Sequence, residues 1–126
     1  SADAVAPADG VGEEMRSLQV IAVAEAVFGV LVVAFPAQIA ALFLGVALPE
    51  TLSLAARVAG GGLILFALAC LRFGLVRSLL AYSAGAFVAL ILIGLFAGQT
   101  GILLWPAVAA HLIAVIALTR EVRAAG

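Results

Sequence analysis

Three ionisable residues stand inside apolar runs of this sequence: Glu25 in IAVAEAVFGV (21–30), Arg57 in LSLAARVAGG (52–61) and His111 in PAVAAHLIAV (106–115). Each pairing of these side chains supports a different chemistry. A carboxylate and an imidazole that meet in an apolar setting can hold and exchange a proton, acting as acid and base on a lipid-soluble substrate. A carboxylate and a guanidinium that meet neutralise one another and clasp two helices. All three around one cavity would make a polar pocket for a small amphipathic ligand. Metal chemistry lacks donors, because His111 is the one histidine and Cys70 the one cysteine. A lone cysteine also excludes an internal disulfide, and Cys70 lies in an apolar run where an inert thiol is expected. No cofactor is implied.

The composition says what surrounds these residues. The 126 residues are 67% hydrophobic and 10% charged, with a mean hydropathy of +1.35. A soluble domain averages roughly 45–50% apolar and about 25% charged. Too few polar side chains exist here to cover so much apolar surface, so the bilayer is the expected solvent and the chain a single membrane domain. The net charge of −1 argues against nucleic acid, which needs a basic footprint.

Four apolar segments position the three residues: 17–35, 51–71, 78–97 and 102–119. Each approaches the ~20 residues that span ~30 Å of hydrocarbon as a helix. Barrel-type alternation is absent, and a barrel needs more strands than this length supplies. The expected fold is therefore an all-α membrane protein, a four-transmembrane-helix bundle over residues 17–120. PAQIAALFLGVALPE (36–50) is bracketed by Pro36 and Pro49, and its apolar core is too short to cross. It predicts a short interfacial or re-entrant helix between the first two spans. Pro106 falls early in the fourth span, where a first helical turn accepts it, and Trp105 suits a membrane interface. Residues 1–16 are small, acidic and unpatterned and read as a disordered tail, and 121–126 as a second tail.

With four spans, both termini and the loop RFGLVR (72–77) share one side. That side carries Arg16, Arg72, Arg77, Arg120 and Arg123, whereas the opposite loops carry Glu50 and no basic residue. The asymmetry predicts a multi-pass protein of the inner (cytoplasmic) membrane with both termini cytoplasmic.

Depth brings the three ionisable residues to a similar level. At 1.5 Å per residue, Glu25 lies roughly 15 Å below Phe35, His111 roughly 14 Å below Ile102 and Arg57 roughly 9 Å below Thr51. A charge at a helix centre costs ~2.5–3.5 kcal/mol, so a cluster of Glu25, Arg57 and His111 that limits this cost is the expectation. Small residues flank each: Ala22 and Gly29, Gly60 and Gly61, Ala107 and Ala114. GLFAG (94–98) has a spacing that permits close helix contact, within the chain or between copies. Tyr82 and Ser83 are expected to hydrogen-bond locally.

The pattern resembles the small DoxX-like membrane proteins. A first span ends in proline, IAALFLG (39–45) follows, AARVAGGGLILFALACL (55–71) forms an arginine-led, glycine-rich second span, and RSLL (77–80) opens the third. The likeness covers about residues 17–120, with ARVAGGG (56–62) carrying most of it. It implies a four-helix bundle and no single activity; members are linked to oxidoreductase complexes and to quinone chemistry. A fainter similarity is to small multidrug-resistance transporters, which carry a glutamate in the first of four short spans, as in AEAVFG (24–29) here. GLFAGQTGILLWPA (94–107) is similar to their later spans. The 36–50 insertion, Arg57 within the second span and the strong arginine bias depart from that pattern.

The favoured reading is a binding or accessory subunit rather than an enzyme. It would hold a lipid or quinone-like ligand near Glu25, Arg57 and His111, or dock to a larger membrane complex or a second copy. The alternatives are a proton-coupled transporter using Glu25, and an enzyme using Glu25 and His111. Orientation is the most direct prediction. A phosphatase fused to either terminus should be inactive in cells and a fluorescent protein bright; an active phosphatase at the C-terminus would reverse the assignment.

Overall fold

The computed structural model describes residues 8–125, with side chains described from Arg16 onward. Five helices follow one another: α1 (Ala8–Ala34), α2 (Pro36–Leu44), α3 (Glu50–Phe73), α4 (Val76–Phe96) and α5 (Leu104–Ala125). Among the described residues there is no strand. Four helical stretches of 19 to 24 residues are long and apolar enough to cross a membrane: Arg16–Ala34, Glu50–Phe73, Val76–Phe96 and Leu104–Ala125. The protein is a four-helix, all-α membrane bundle with α2 as a short extra helix, as its hydropathy requires.

Two boundaries differ from the sequence reading. Helix α1 begins at Ala8, so residues 8–16 of the expected disordered tail are helical, while 1–7 lie outside the described residues. Glu13, Glu14 and Met15 are adequate helix formers and extend an already nucleated helix at little cost. At the other end of the chain α5 continues through residues 121–125.

The helices pair. α1 packs chiefly on α3, and α4 on α5, with sparser contacts between the pairs. The first pair meets at opposed glycines. A Cβ on Gly29 would stand 2.8 Å from the Gly60 carbonyl oxygen, and one on Gly60 would stand 2.8 Å from that of Gly29. Without side chains there, the two backbones approach closely and set their antiparallel register. GLFAG is used differently. Gly94 faces the Trp105 and Leu104 side chains, and Gly98 lies beyond the end of α4 with a φ of 74°.

The outer end of α1, the end of α5 and the α3–α4 turn lie at one end of the bundle. There the Glu121 carboxylate accepts from the Leu18 amide at 3.2 Å, and Gly74–Ser78 border the same cavity as Glu121. This end holds the fully packed core of Leu18, Ala22, Cys70, Leu79 and Leu118. Cys70 is buried and free, as its apolar setting suggests.

At the other end α2 folds back over the bundle. Gly45 caps it with a φ of 67°, a left-handed conformation that glycine adopts without penalty. The Leu103 amide donates to the Leu42 carbonyl at 2.8 Å, and the Gly101 amide to that of Phe43 at 3.3 Å. These bonds tie α2 to the α4–α5 connection. Pro106 sits in the first turn of α5, where its missing N–H costs nothing.

The glycine contact gives a stability prediction. Gly60→Leu should cost about 1–3 kcal/mol, because backbone rather than a yielding side chain fills the space. Gly61→Ala has nothing within 4 Å to strike and should be neutral or stabilising by up to about 1 kcal/mol. Denaturant titration in micelles compares them, and equal stabilities would refute the Gly29–Gly60 contact as the seam.

Candidate functional site

Glu25 belongs to the inward face of α1. Leu18, Ala22, Glu25 and Gly29 recur at spacings of four, three and four, and all are buried, Glu25 being 9% exposed. On α5 the inward series is Leu104, Ala107, His111, Ala114, Leu118 and Glu121 at alternating three and four, each buried or half-buried. Glu25 and His111 therefore occupy core positions that an apolar side chain would otherwise fill. Helix periodicity aims both into the bundle.

Their side chains meet. His111 Nε2 lies 3.4 Å from Glu25 Oε1. The Tyr82 hydroxyl, from α4, donates to Glu25 Oε2 at 3.2 Å. His111 Nδ1 lies 2.7 Å from the Ala107 carbonyl oxygen, one turn back on its own helix. A carbonyl can only accept, so Nδ1 carries a proton and donates it there. Nε2 is then either bare or protonated. Two bare acceptors facing each other would repel, whereas a proton on either Nε2 or Oε1 would join them. The pair is an imidazolium against a carboxylate or an imidazole against a carboxylic acid; in both forms its net charge is zero. Neutrality and hydrogen bonds together make the cluster tolerable in a medium of low dielectric constant.

Arg57 does not join this cluster. It is exposed on α3, and among the described residues it has neither an ion pair nor a hydrogen bond. The reason is register. Gly29 of α1 meets Gly60 and Ile64 of the antiparallel α3, and Gly60 also meets Val32, so Arg57, three residues before Gly60, lies on the α2 side of that contact while Glu25 lies on the other. Arg57 is thus displaced from Glu25 along the bundle by seven residues, or about 10 Å. Depths counted from two span ends concealed this offset, since α1 and α3 do not begin and end flush.

Tyr82 is the member that sequence reasoning missed. It was expected to bond locally, yet its partner Glu25 is 57 positions away. The available signal is again periodic: Tyr82 follows the buried Leu79 by three and precedes Ala86, another cavity residue, by four. Ser83 also departs from expectation. Its hydroxyl is buried and, among the described residues, makes no hydrogen bond, at a cost of about 1–3 kcal/mol.

The cluster closes one side of a cavity of about 600 Å³ between α1, α2, α4 and α5. Glu25, Tyr82 and His111 are the polar side chains on its wall. Phe28, Ile39, Phe43, Leu90 and Leu103 line the rest, with Ala86, Ala107 and Ala110 leaving the space open. α2 forms the roof, and Phe43 holds Phe28 edge-on at a ring separation of 5.2 Å. Among the described residues no group of three or more His, Cys, Asp or Glu could hold a metal ion.

Comparison of the chain with known protein families, with characterised proteins and with solved structures gave no match.

The hydrogen-bond pattern distinguishes two variants. In Glu25→Gln the amide N–H can donate to His111 Nε2 and the amide oxygen can accept from Tyr82, so stability should stay within about 1 kcal/mol of wild type. Glu25→Leu strands both partners and should cost about 2 kcal/mol or more. Unfolding titrations in micelles measure both. A Gln variant as weak as the Leu variant would show that charge, rather than hydrogen bonding, holds the cluster.

Proposed function

We propose that this small integral membrane protein binds an amphipathic molecule of lipid or quinone-like type. Its polar head meets Glu25, His111 and Tyr82, and its apolar part fills the space beneath α2. The observation that carries this reading is the cavity: about 600 Å³, apolar on nearly every wall, with three convergent polar groups on one side. Ligand sites commonly combine that size, that apolar lining and a few placed polar groups. The head is uncharged, because the cluster is itself neutral and both carboxylate oxygens are engaged. A hydroxyl or carbonyl group suits it; a cation would have to displace His111 and Tyr82 from Glu25. The DoxX-like resemblance of ARVAGGG (56–62) accords with this reading, and the five arginines at the termini end support cytoplasmic termini in an inner membrane.

A second reading has one specific support. Glu25 and His111 face one another at 3.4 Å on the wall of a cavity, which is the arrangement an acid–base catalyst of a lipid-soluble substrate needs. The transporter reading is weaker: Arg57 makes no ion pair with Glu25, but the carboxylate already has two partners.

Native mass spectrometry of protein extracted in mild detergent tests the binding reading. Wild type should carry an added small-molecule mass, and Ala86→Phe, which puts a ring into the cavity, should lose it while melting at the wild-type temperature. A wild-type chain that flies bare, with a spectrum matching that of the variant, would overturn the proposal.

A further inference from the structure

Gly60, Gly61 and Gly62 follow one another in α3. The passage of α1 explains Gly60. It does not explain the other two, since nothing lies within 4 Å of a Cβ built on either. Neither has a positive φ. Glycine inside a helix is less favourable than alanine, and no contact within the chain offsets that cost here.

Gly62 instead opens a groove. A second cavity of about 420 Å³ opens beside α3: Gly62, Leu63 and Phe66 of α3 form most of its wall, Phe28 and Val32 of α1 its floor, and Tyr82 of α4 its far edge. α3 and α4 pack far less on each other than α1 does on α3, and Ala59 and Gly62 on the groove are exposed on the side that faces hydrocarbon. Phe28 and Tyr82 border this groove and also border the cavity that holds the polar cluster. The Tyr82 ring spans the seam. Its hydroxyl reaches Glu25 on one side, and its ring lies 5.5 Å from that of Phe66 on the other.

We propose that the α3–α4 groove holds the far end of the hydrocarbon chain of the same molecule whose head binds Glu25, His111 and Tyr82 and whose nearer apolar part fills the space beneath α2. The ligand is then a long-chain amphiphile whose chain passes Phe28 and enters the bilayer between α3 and α4. This rests on the head-binding reading above and adds the shape of the ligand to it. Gly62 is glycine because any side chain there would occupy the path of the chain.

The probes are 4-alkylphenols from ethyl to dodecyl, which pair an uncharged hydroxyl head with a chain of chosen length. Binding is read in nanodiscs from the ring signals of His111, the one histidine of the chain, with partition into empty discs subtracted. Corrected affinity in wild type should rise about tenfold from the shortest to the longest chain. Gly62→Phe should keep the response to 4-ethylphenol and lose the rise, while Gly61→Phe, which lies off the groove wall, should keep both. Should Gly62→Phe fail to fold, Ala59→Leu narrows the same groove and the same loss is expected. A wild-type affinity independent of chain length, or an unchanged rise in the groove-filling variant, overturns the groove and leaves head binding intact. No response of His111 to any phenol overturns head binding and the groove with it.

Discussion

A carboxyl group in hydrocarbon has no water to turn to, so its partners must come from the protein. That constraint organises this bundle. Glu25 stands on α1, within the α1–α3 pair, and both of its partners stand on the other pair, Tyr82 on α4 and His111 on α5. Apolar packing between the two pairs is sparse in this half of the molecule, where a cavity occupies the space that side chains would fill. Three polar side chains at one level thus do for the open half what Leu18, Leu79 and Leu118 do for the packed half. The hydrogen bonds that make Glu25 bearable are also the ones that present it to a cavity.

The two halves differ because the residues along each inward face differ. Towards the termini these faces carry leucines and Cys70, which interlock and exclude space. Towards α2 they carry alanine and glycine, and the gap they leave is only partly taken up by the Phe28–Phe43 pair. Small side chains have opposite effects in the two helix pairs. At Gly29 and Gly60 they let backbones meet; at Ala86, Ala107 and Ala110 they keep walls apart. The difference is whether a second glycine faces the first.

Much of this was legible in the sequence. Hydropathy and proline placement located four long helices and the short α2, because burial in lipid leaves the chain few other ways to satisfy its backbone. Similar depth made a meeting of Glu25 with His111 one of the arrangements open to the sequence, beside a Glu25–Arg57 pair. The exclusion of Arg57 was not legible. Depth counted from span ends treats all helices as flush, whereas the Gly29–Gly60 contact slides α3 relative to α1. Tyr82 was hidden because a tyrosine near a span end has a ready local explanation, and only the three-and-four spacing through Leu79 and Ala86 distinguishes an inward ring from an interfacial one. Helix existence follows from composition, but the contents of a site depend on register, which a few glycine contacts decide.

The attachment of α2 has a mechanical consequence. By covalent connection α2 belongs to the α1–α3 pair, since it is the link between those helices. By hydrogen bonding it belongs to the other pair, through the Leu42 and Phe43 carbonyls that accept from Leu103 and Gly101. It is a strap sewn to both halves across the cavity's mouth. Spreading the halves at that end would break both main-chain bonds, so any breathing motion of the bundle is steered away from the roof and towards the unstrapped flank between α3 and α4.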